Sequence, residues 1–347
     1  MITNPVSNVS TKVGVNAVAN AISPPRASIV VPAYNVAHCI AETLTSLLAQ
    51  TERDFEIVVV NDGSTDDTLA VVRRFDDPRI RIVNQRNRGL AGARNTGIAE
   101  SRAPVIGFCD SDDLWLPTKL AQHLAHLDAN PEVGLSFAGS RLIDQDGNRL
   151  PVCQRPRLRD ITVGHIFRRN PIGNGSVAVF RREALQAIAF RPVGETERDW
   201  YFDETFRQSE DIECWMRFAL TTDWTVEGIP GLLTEYRIDS RGLSANIDRQ
   251  LRQWERMVAK LSAIAPDVIR TIAPAARAYQ YRYLCRRAVM MGEGPKALRL
   301  AIAALRSSRH PLWAEPIKTV TTLAAALAVA VVGGWSPAVL CPPKQAS

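Results

Sequence analysis

The ten residues Pro104-Val-Ile-Gly-Phe-Cys-Asp-Ser-Asp-Asp113 change character halfway. Val105 to Cys109 has the length and composition of a buried strand. The run then stops at three carboxylates, Asp110, Asp112 and Asp113. Like charges repel and carboxylates are costly to desolvate, so this cluster calls for a compensating partner. A divalent cation, Mg²⁺ or Mn²⁺, would serve, because it takes hard oxygen ligands and shares them with substrate phosphates. The other reading is a solvated turn that caps a helix beginning near Pro117.

Outward from this stretch, two more strands end in polar residues. Ser28 to Pro32 leads into Tyr34-Asn35, and Phe55 to Val60 leads into Asn61-Asp62-Gly63-Ser64. Between them, Ile40, Leu44, Leu47 and Leu48 share one helical face over residues 37–50. Further helices are expected over 66–75, 89–101 and 117–129, and further strands over 79–83 and 133–137. This alternation predicts an α/β fold with a mostly parallel sheet and helices on both faces. Ligands of such sheets sit at the carboxyl ends of strands, so three polar strand ends converging on one crevice favour a site over a turn.

Length and composition bound the rest. The chain has 347 residues, 46% of them hydrophobic, enough for a sizeable core. Its six cysteines form no Cys-x-x-Cys pair, which argues against a zinc site and for a reducing compartment. Residues 1–26 lack a basic start and a compact apolar core, and read as a mobile leader rather than a signal peptide. From Ile272 to Pro316, eight Lys/Arg face two Glu, which accounts for the whole net charge of +6. No nucleic-acid motif accompanies these cations, so a nucleic-acid partner is not expected. An anionic membrane face suits them better.

No dinucleotide or ATPase-type phosphate loop is present. Gly89, Gly92 and Gly97 have the wrong spacing and follow the third strand. They suit a helix that starts close to a ligand. Arg94 then either points toward that ligand or sits in a structural ion pair.

Four stretches, in order, are Ser28-Ile-Val-Val-Pro-Ala-Tyr-Asn35, Val60-Asn-Asp-Gly-Ser-Thr-Asp66, Gly89-Leu-Ala-Gly-Ala-Arg-Asn-Thr-Gly-Ile-Ala99 and Phe108-Cys-Asp-Ser-Asp-Asp113. Together they resemble glycosyltransferase family 2. The resemblance implies a GT-A nucleotide-diphospho-sugar transferase fold and inverting transfer from a nucleotide sugar. It implies that Asp62 binds the nucleotide base, that Pro32 and Tyr34 line the base pocket, and that Arg94 lies near the donor. It further implies Asp110 beside the ribose and sugar, and Asp112 on a Mg²⁺ or Mn²⁺ ion at the diphosphate. A metal neutralises charge developing on that leaving group, while a carboxylate base on the opposite face takes the acceptor's proton.

Glu210-Asp211 opens a helix whose apolar face holds Ile212, Trp215, Met216 and Ala219. Acids there also suit the helix dipole. The family carries a Glu-Asp pair at this place, which implies Asp211 as the base and Glu210 as a supporting or acceptor-binding residue. Asp203 and Glu204 lie near enough to serve instead, and Glu213 reads as structural. Trp115 would either stack on an acceptor sugar or join the core. Asn174 and Ser176 would meet acceptor hydroxyls or simply form a turn. Tyr236-Arg-Ile-Asp239 with Gly242-Leu-Ser244 resembles the motif that closes the family's catalytic domain. Many members have a metal-ligating His where this chain has Asp239. Gln250-Leu-Arg-Gln-Trp254 departs from the motif of processive members, which favours single-sugar addition.

The expected organisation is a leader (1–26), a GT-A domain (27–245), a basic helical region (246–316) and a hydrophobic membrane-associated tail (317–347). Residues 319–343 carry no charge, so a spanning or embedded segment is expected there, with a packed helix as the alternative. The resemblance extends to bacterial exopolysaccharide glucosyltransferases of succinoglycan type. It implies a UDP-sugar donor, best UDP-glucose, and a lipid-linked oligosaccharide acceptor at the cytoplasmic face of the inner membrane. A sugar nucleotidyltransferase and a non-catalytic saccharide-binding protein are the alternatives.

Overall fold

The computed structural model describes residues 23–238 and 246–332. The leader's first 22 residues, Asp239, the Gly242-Leu-Ser244 motif and the end of the tail lie outside the described residues. The elements run β1 (Ala27–Ala33), α1 (Ile40–Leu48), β2 (Phe55–Asn61), α2 (Thr68–Val72), β3 (Ile80–Asn84), α3 (Gly89–Glu100), β4 (Val105–Phe108), β5 (Leu114–Trp115), α4 (Lys119–Ala129), β6 (Val133–Ile143) and β7 (Arg149–Gln154). They continue as α5 (Val163–Arg169), β8 (Val179–Arg181), α6 (Arg182–Gln186), α7 (Glu210–Thr221) and β9 (Thr225–Arg237). Five helices follow: α8 (Ile247–Ile264), α9 (Pro266–Met290), α10 (Gly294–Ser307), α11 (His310–Ala314) and α12 (Pro316–Val332).

The strands form one sheet in the order β3-β2-β1-β4-β8-β6-β9-β5, with β7 paired to β6. The sheet is parallel over its first four strands, β3, β2, β1 and β4, and again between β6 and β9. β8 pairs antiparallel with both β4 and β6, β7 with β6 and β5 with β9. The sheet is therefore mixed, with β8 inserted against the direction of its two neighbours.

β1 is buried along its whole length, and its side chains divide between the two faces. Ile29, Val31 and Ala33 join Ile40, Leu44 and Leu47 of α1 and Leu120, Leu124 and Leu127 of α4. Val30 joins Ile106, Phe108, Phe180 and the α7 residues Trp215 and Phe218. Phe180 stacks on Trp215 with ring centroids 5.4 Å apart. α3 lies close on the second face because Gly97 has no Cβ; one added there would run into the Val30 side chain.

The helical region is continuous with this core. Trp254, Met257 and Leu261 of α8 and Ile269, Ala273 and Ala276 of α9 pack into the same cluster as Phe180 and Trp215. The later part of α9 builds a separate small core with α10 and α12. In the described part of the tail, the packed-helix alternative holds for one face of α12. α12 packs on α9 and α10 through Thr319, Thr322, Ala326 and Val329, which are buried, and Arg282 donates to Thr319 Oγ1 at 2.6 Å. No helix among the described residues is long and apolar enough to cross a membrane. Arg282 needs a partner in this small-residue core, and Thr319 supplies it.

Candidate active site

The carboxyl ends of β2, β1 and β4 are neighbours, with roughly 4.8 Å between adjacent strands. Asp62 follows β2 directly and is 2% exposed. Its carboxylate accepts the backbone N–H groups of Arg88 and Gly89, each at 2.8 Å, and the Gln85 side-chain amide at 2.5 Å. Asp62 therefore fixes the entry of α3, where Gly89 takes φ +80°. Tyr34, half exposed, stands at the end of β1. Asn35 ties that turn to the β2 end by accepting from Thr65 N at 2.8 Å. Cys109 N donates to Val30 O, so alternation aims Pro32 at the β4 side after β4 has left the ladder. Its missing N–H costs no pairing there.

The acidic turn is pinned from within. Asp113 is fully buried; it accepts the Ser176 hydroxyl at 2.5 Å and Arg237 N at 2.9 Å. Ser176 Oγ also accepts from Asp110 N at 2.9 Å, and Arg237 Nε donates to Asp112 O at 2.8 Å. Burial pushes the Asp113 carboxyl well up, helped by the neighbouring charges of Asp112 and Asp110. Burial and then the Asp110 charge push Asp112 up to about 6. Asp112 takes no side-chain partner among the described residues.

Arg94, on α3, is 1% exposed. Its Nη2 donates to Asp110 Oδ1 at 2.7 Å and its Nη1 to Glu210 Oε1 at 3.0 Å. The expectation that Arg94 faces the donor is thus corrected: it is an ion-pair bridge between the β4 end and the start of α7. Of the two roles expected for Glu210, the supporting one fits, since its carboxylate faces Arg94. Gly175 makes room for this guanidinium, into which a Cβ would project. Burial opposes charge on Arg94, but Asp110 and Glu210 together raise its pKa.

Asp211 stands beside this bridge. It accepts from the next backbone N–H, Ile212, at 2.7 Å. Burial and the Glu210 charge, partly offset by Arg94, push it up to about 7, the range a general base needs. The two competing acids are engaged elsewhere. Asp203 pairs with Lys260 at 2.7 Å. Glu204 pairs with Arg88 and Arg198, each at 2.8 Å. Glu213 pairs with Arg217 and Lys260 and is structural, as expected.

Trp115 is corrected to a core residue. It is 2% exposed, donates its indole N–H to Ser176 O at 3.0 Å, and carries the Lys119 ammonium 4.4 Å from its ring centroid. Ser176 is likewise structural. Asn174, next to the Arg94 bridge, keeps both amide atoms buried without a partner among the described residues. Reading the chain by strand ends missed Arg237, Gln85 and Lys119, because their roles come from contacts 23 to 125 residues away. Only the position of Arg237 at the end of the last strand hinted at its place.

Among the described residues no group of three or more His, Cys, Asp or Glu side chains is placed to cage a metal ion. The pair Asp110 and Asp112 still fits a hard divalent cation. Asp112 is a half-buried carboxylate raised by desolvation and then by its neighbour's charge, and a cation would complete its shell with phosphate and water oxygens.

The mixed sheet, with Asp110 and Asp211 gathered about Arg94 near the ends of its parallel strands, is that of a GT-A glycosyltransferase. Residues 28–189 match the model for glycosyl transferase family 2. The chain is 28% identical over 230 residues, 66% of its own length and 83% of the relative's, to the UDP-Glc:alpha-D-GlcNAc-diphosphoundecaprenol beta-1,3-glucosyltransferase WfgD of Escherichia coli. The chondroitin synthases of Escherichia coli and Pasteurella multocida and the hyaluronan synthase of P. multocida are matched over less than a third of their own length. Among solved structures, S. aureus TarS 1-349 with UDP-GlcNAc shares the fold, with TM-score 0.62 and 16% identity over 89% of this chain and 93% of that one. The mannosyltransferase PcManGT from Pyrobaculum calidifontis, in complex with GDP-Man and Mn²⁺, gives TM-score 0.56 and 25% identity over 89% of this chain and 86% of that one.

Proposed function

We propose that this glycosyltransferase moves a single sugar, best glucose from UDP-glucose, to a lipid-linked saccharide, with inversion and with help from Mg²⁺ or Mn²⁺. The observation that carries the reading is the Arg94 bridge, which sets the donor-side Asp110 and the Asp211 helix on opposite sides of one guanidinium. Asp211 takes the proton of the attacking acceptor hydroxyl. Asn174 offers its unpartnered amide to an acceptor hydroxyl. Asp112, with Asp110 near it, would hold the cation, which when bound neutralises the diphosphate leaving group. Pro32, Tyr34 and Asp62 form the base end of the crevice, with one oxygen of Asp62 still accepting only a single N–H.

Similarity to WfgD supports the UDP-glucose donor and the diphospholipid acceptor. The PcManGT complex supports the cation. We read the enzyme as working on such an acceptor at the cytoplasmic face of a bacterial inner membrane, in exopolysaccharide or surface-polysaccharide assembly, succinoglycan-type pathways included. The test is a panel of UDP-sugars offered to the chain with GlcNAc-diphospholipid, with Mn²⁺ or with EDTA. UDP-glucose should turn over best and only with metal. Binding without turnover of any donor would point to a saccharide-binding protein on the same fold.

A further inference from the structure

We propose that the outward faces of α11 and α12, with the adjoining end of α10, lie flat on an anionic lipid bilayer. The inference rests on the membrane-borne acceptor of the preceding section and names the surface that meets it. Of sixteen large hydrophobic side chains exposed among the described residues, twelve lie from Ile264 onward. The densest set is Trp313 (83% exposed), Ile317 (78%), Val320 (56%), Leu327 (55%) and Val331 (75%). On α12 these recur at helical spacing opposite the buried Thr319, Thr322, Ala326 and Val329. The helix thus uses one apolar face in the protein and leaves a second uncovered.

Charge selects the occupant. Arg306, Arg309 and Lys318 flank this face and are exposed. The nearby acid, Glu315, is already engaged by Arg169, Arg282 and Lys318. Ile302, Leu305 and Leu312 line an open groove between α10 and α11 together with Arg306 and Arg309. An apolar stripe with Trp at its start and cations at its rim fits the boundary between headgroups and acyl chains. A second copy of the chain fits less well, because a two-fold contact would bring one basic rim against another. None of the described helices is long and apolar enough to span, so the contact lies in the plane of the membrane.

The test is co-sedimentation of the full chain with vesicles of phosphatidylethanolamine and phosphatidylglycerol, and with vesicles of phosphatidylcholine alone. The parent chain should pellet with the anionic vesicles and far less with the neutral ones. Trp313→Glu with Ile317→Glu should remain in the supernatant while turnover of a detergent-dispersed acceptor is unchanged. Arg306→Gln and Arg309→Gln should each weaken pelleting roughly fivefold and flatten its salt dependence. Failure of the parent to pellet, or parent-like pelleting by the Glu variant, would overturn the proposal. So would a Glu variant that splits a dimer without changing vesicle binding. Pelleting by a parent chain that turns over no donor would support the docking surface and sink only the catalytic reading.

Discussion

Arg94 Nη2 donates to Asp110 Oδ1 at 2.7 Å, across sixteen residues of sequence. The pair is buried on the arginine side and shared with Glu210, so removing the cation strands two carboxylates. Arg94→Ala should lower the unfolding free energy by about 3–5 kcal/mol and abolish turnover. Arg94→Lys, which keeps the charge but lacks the fork, should recover part of the stability and little of the activity. Urea melts read beside initial rates would show it; an Arg94→Ala chain as stable as the parent would refute the bridge.

Asp211→Asn should cut kcat by roughly 10²–10⁴-fold and leave the donor KM unchanged, because only the proton acceptor is lost. Its pKa of about 7 also sets a pH profile. The base works when deprotonated, so kcat/KM should rise with pH up to about 7 and then level off. Stability should move the other way. The folded chain holds this proton above the unfolded value of about 4, so its contribution is complete below that pH and lost as pH rises through about 7. A rate that falls as pH is raised from 5 to 7 would assign the base elsewhere.

Mn²⁺ should raise the melting temperature of the parent chain, since an ion bound only to the folded state at a hundredfold excess over Kd adds about 2.7 kcal/mol. Asp112→Asn should remove that shift. It should also make the metal-free chain slightly more stable, because a half-buried carboxylate beside Asp110 is gone. EDTA should stop turnover in the parent. A full thermal shift in Asp112→Asn would place the ion on other ligands.

Trp115→Phe should destabilise by about 1–3 kcal/mol, leaving the Ser176 carbonyl short of one donor. The acceptor KM should stay within error of the parent value. A large KM change with normal stability would restore the stacking role that burial argues against.

The buried strands as far as β6 and the helices between them were legible from apolar runs and periodicity. The acids Asp62, Asp110 and Asp112 stood out at strand ends, and Asp211 only through the family resemblance. β5, β7 and β9 were not legible; in β9, Gly228, Pro230 and Gly231 interrupt the pattern. β5 has two residues, and β7, Arg149–Gln154, is almost wholly exposed, so neither leaves a hydrophobic pattern. The true partners of Arg94, Glu210 and Trp115 were equally invisible. A lone charged residue or a tryptophan reads the same in sequence whether it faces a ligand or a partner a hundred residues away. The antiparallel pairings of β5, β7 and β8 were missed because strand direction depends on how the chain returns to the sheet, which local composition does not record.

Asp62 grips the first turn of α3, and Arg94 leaves the same helix less than two turns later. In the mechanism proposed above, recognition of the nucleotide and alignment of the reacting acids are therefore mounted on a single stiff rod. A change at the base pocket cannot relax locally: any tilt it gives the rod is delivered, nearly undiminished, to the carboxylates that do the chemistry. Altering donor preference at Asp62 without disturbing rate will accordingly demand compensation on α3 itself.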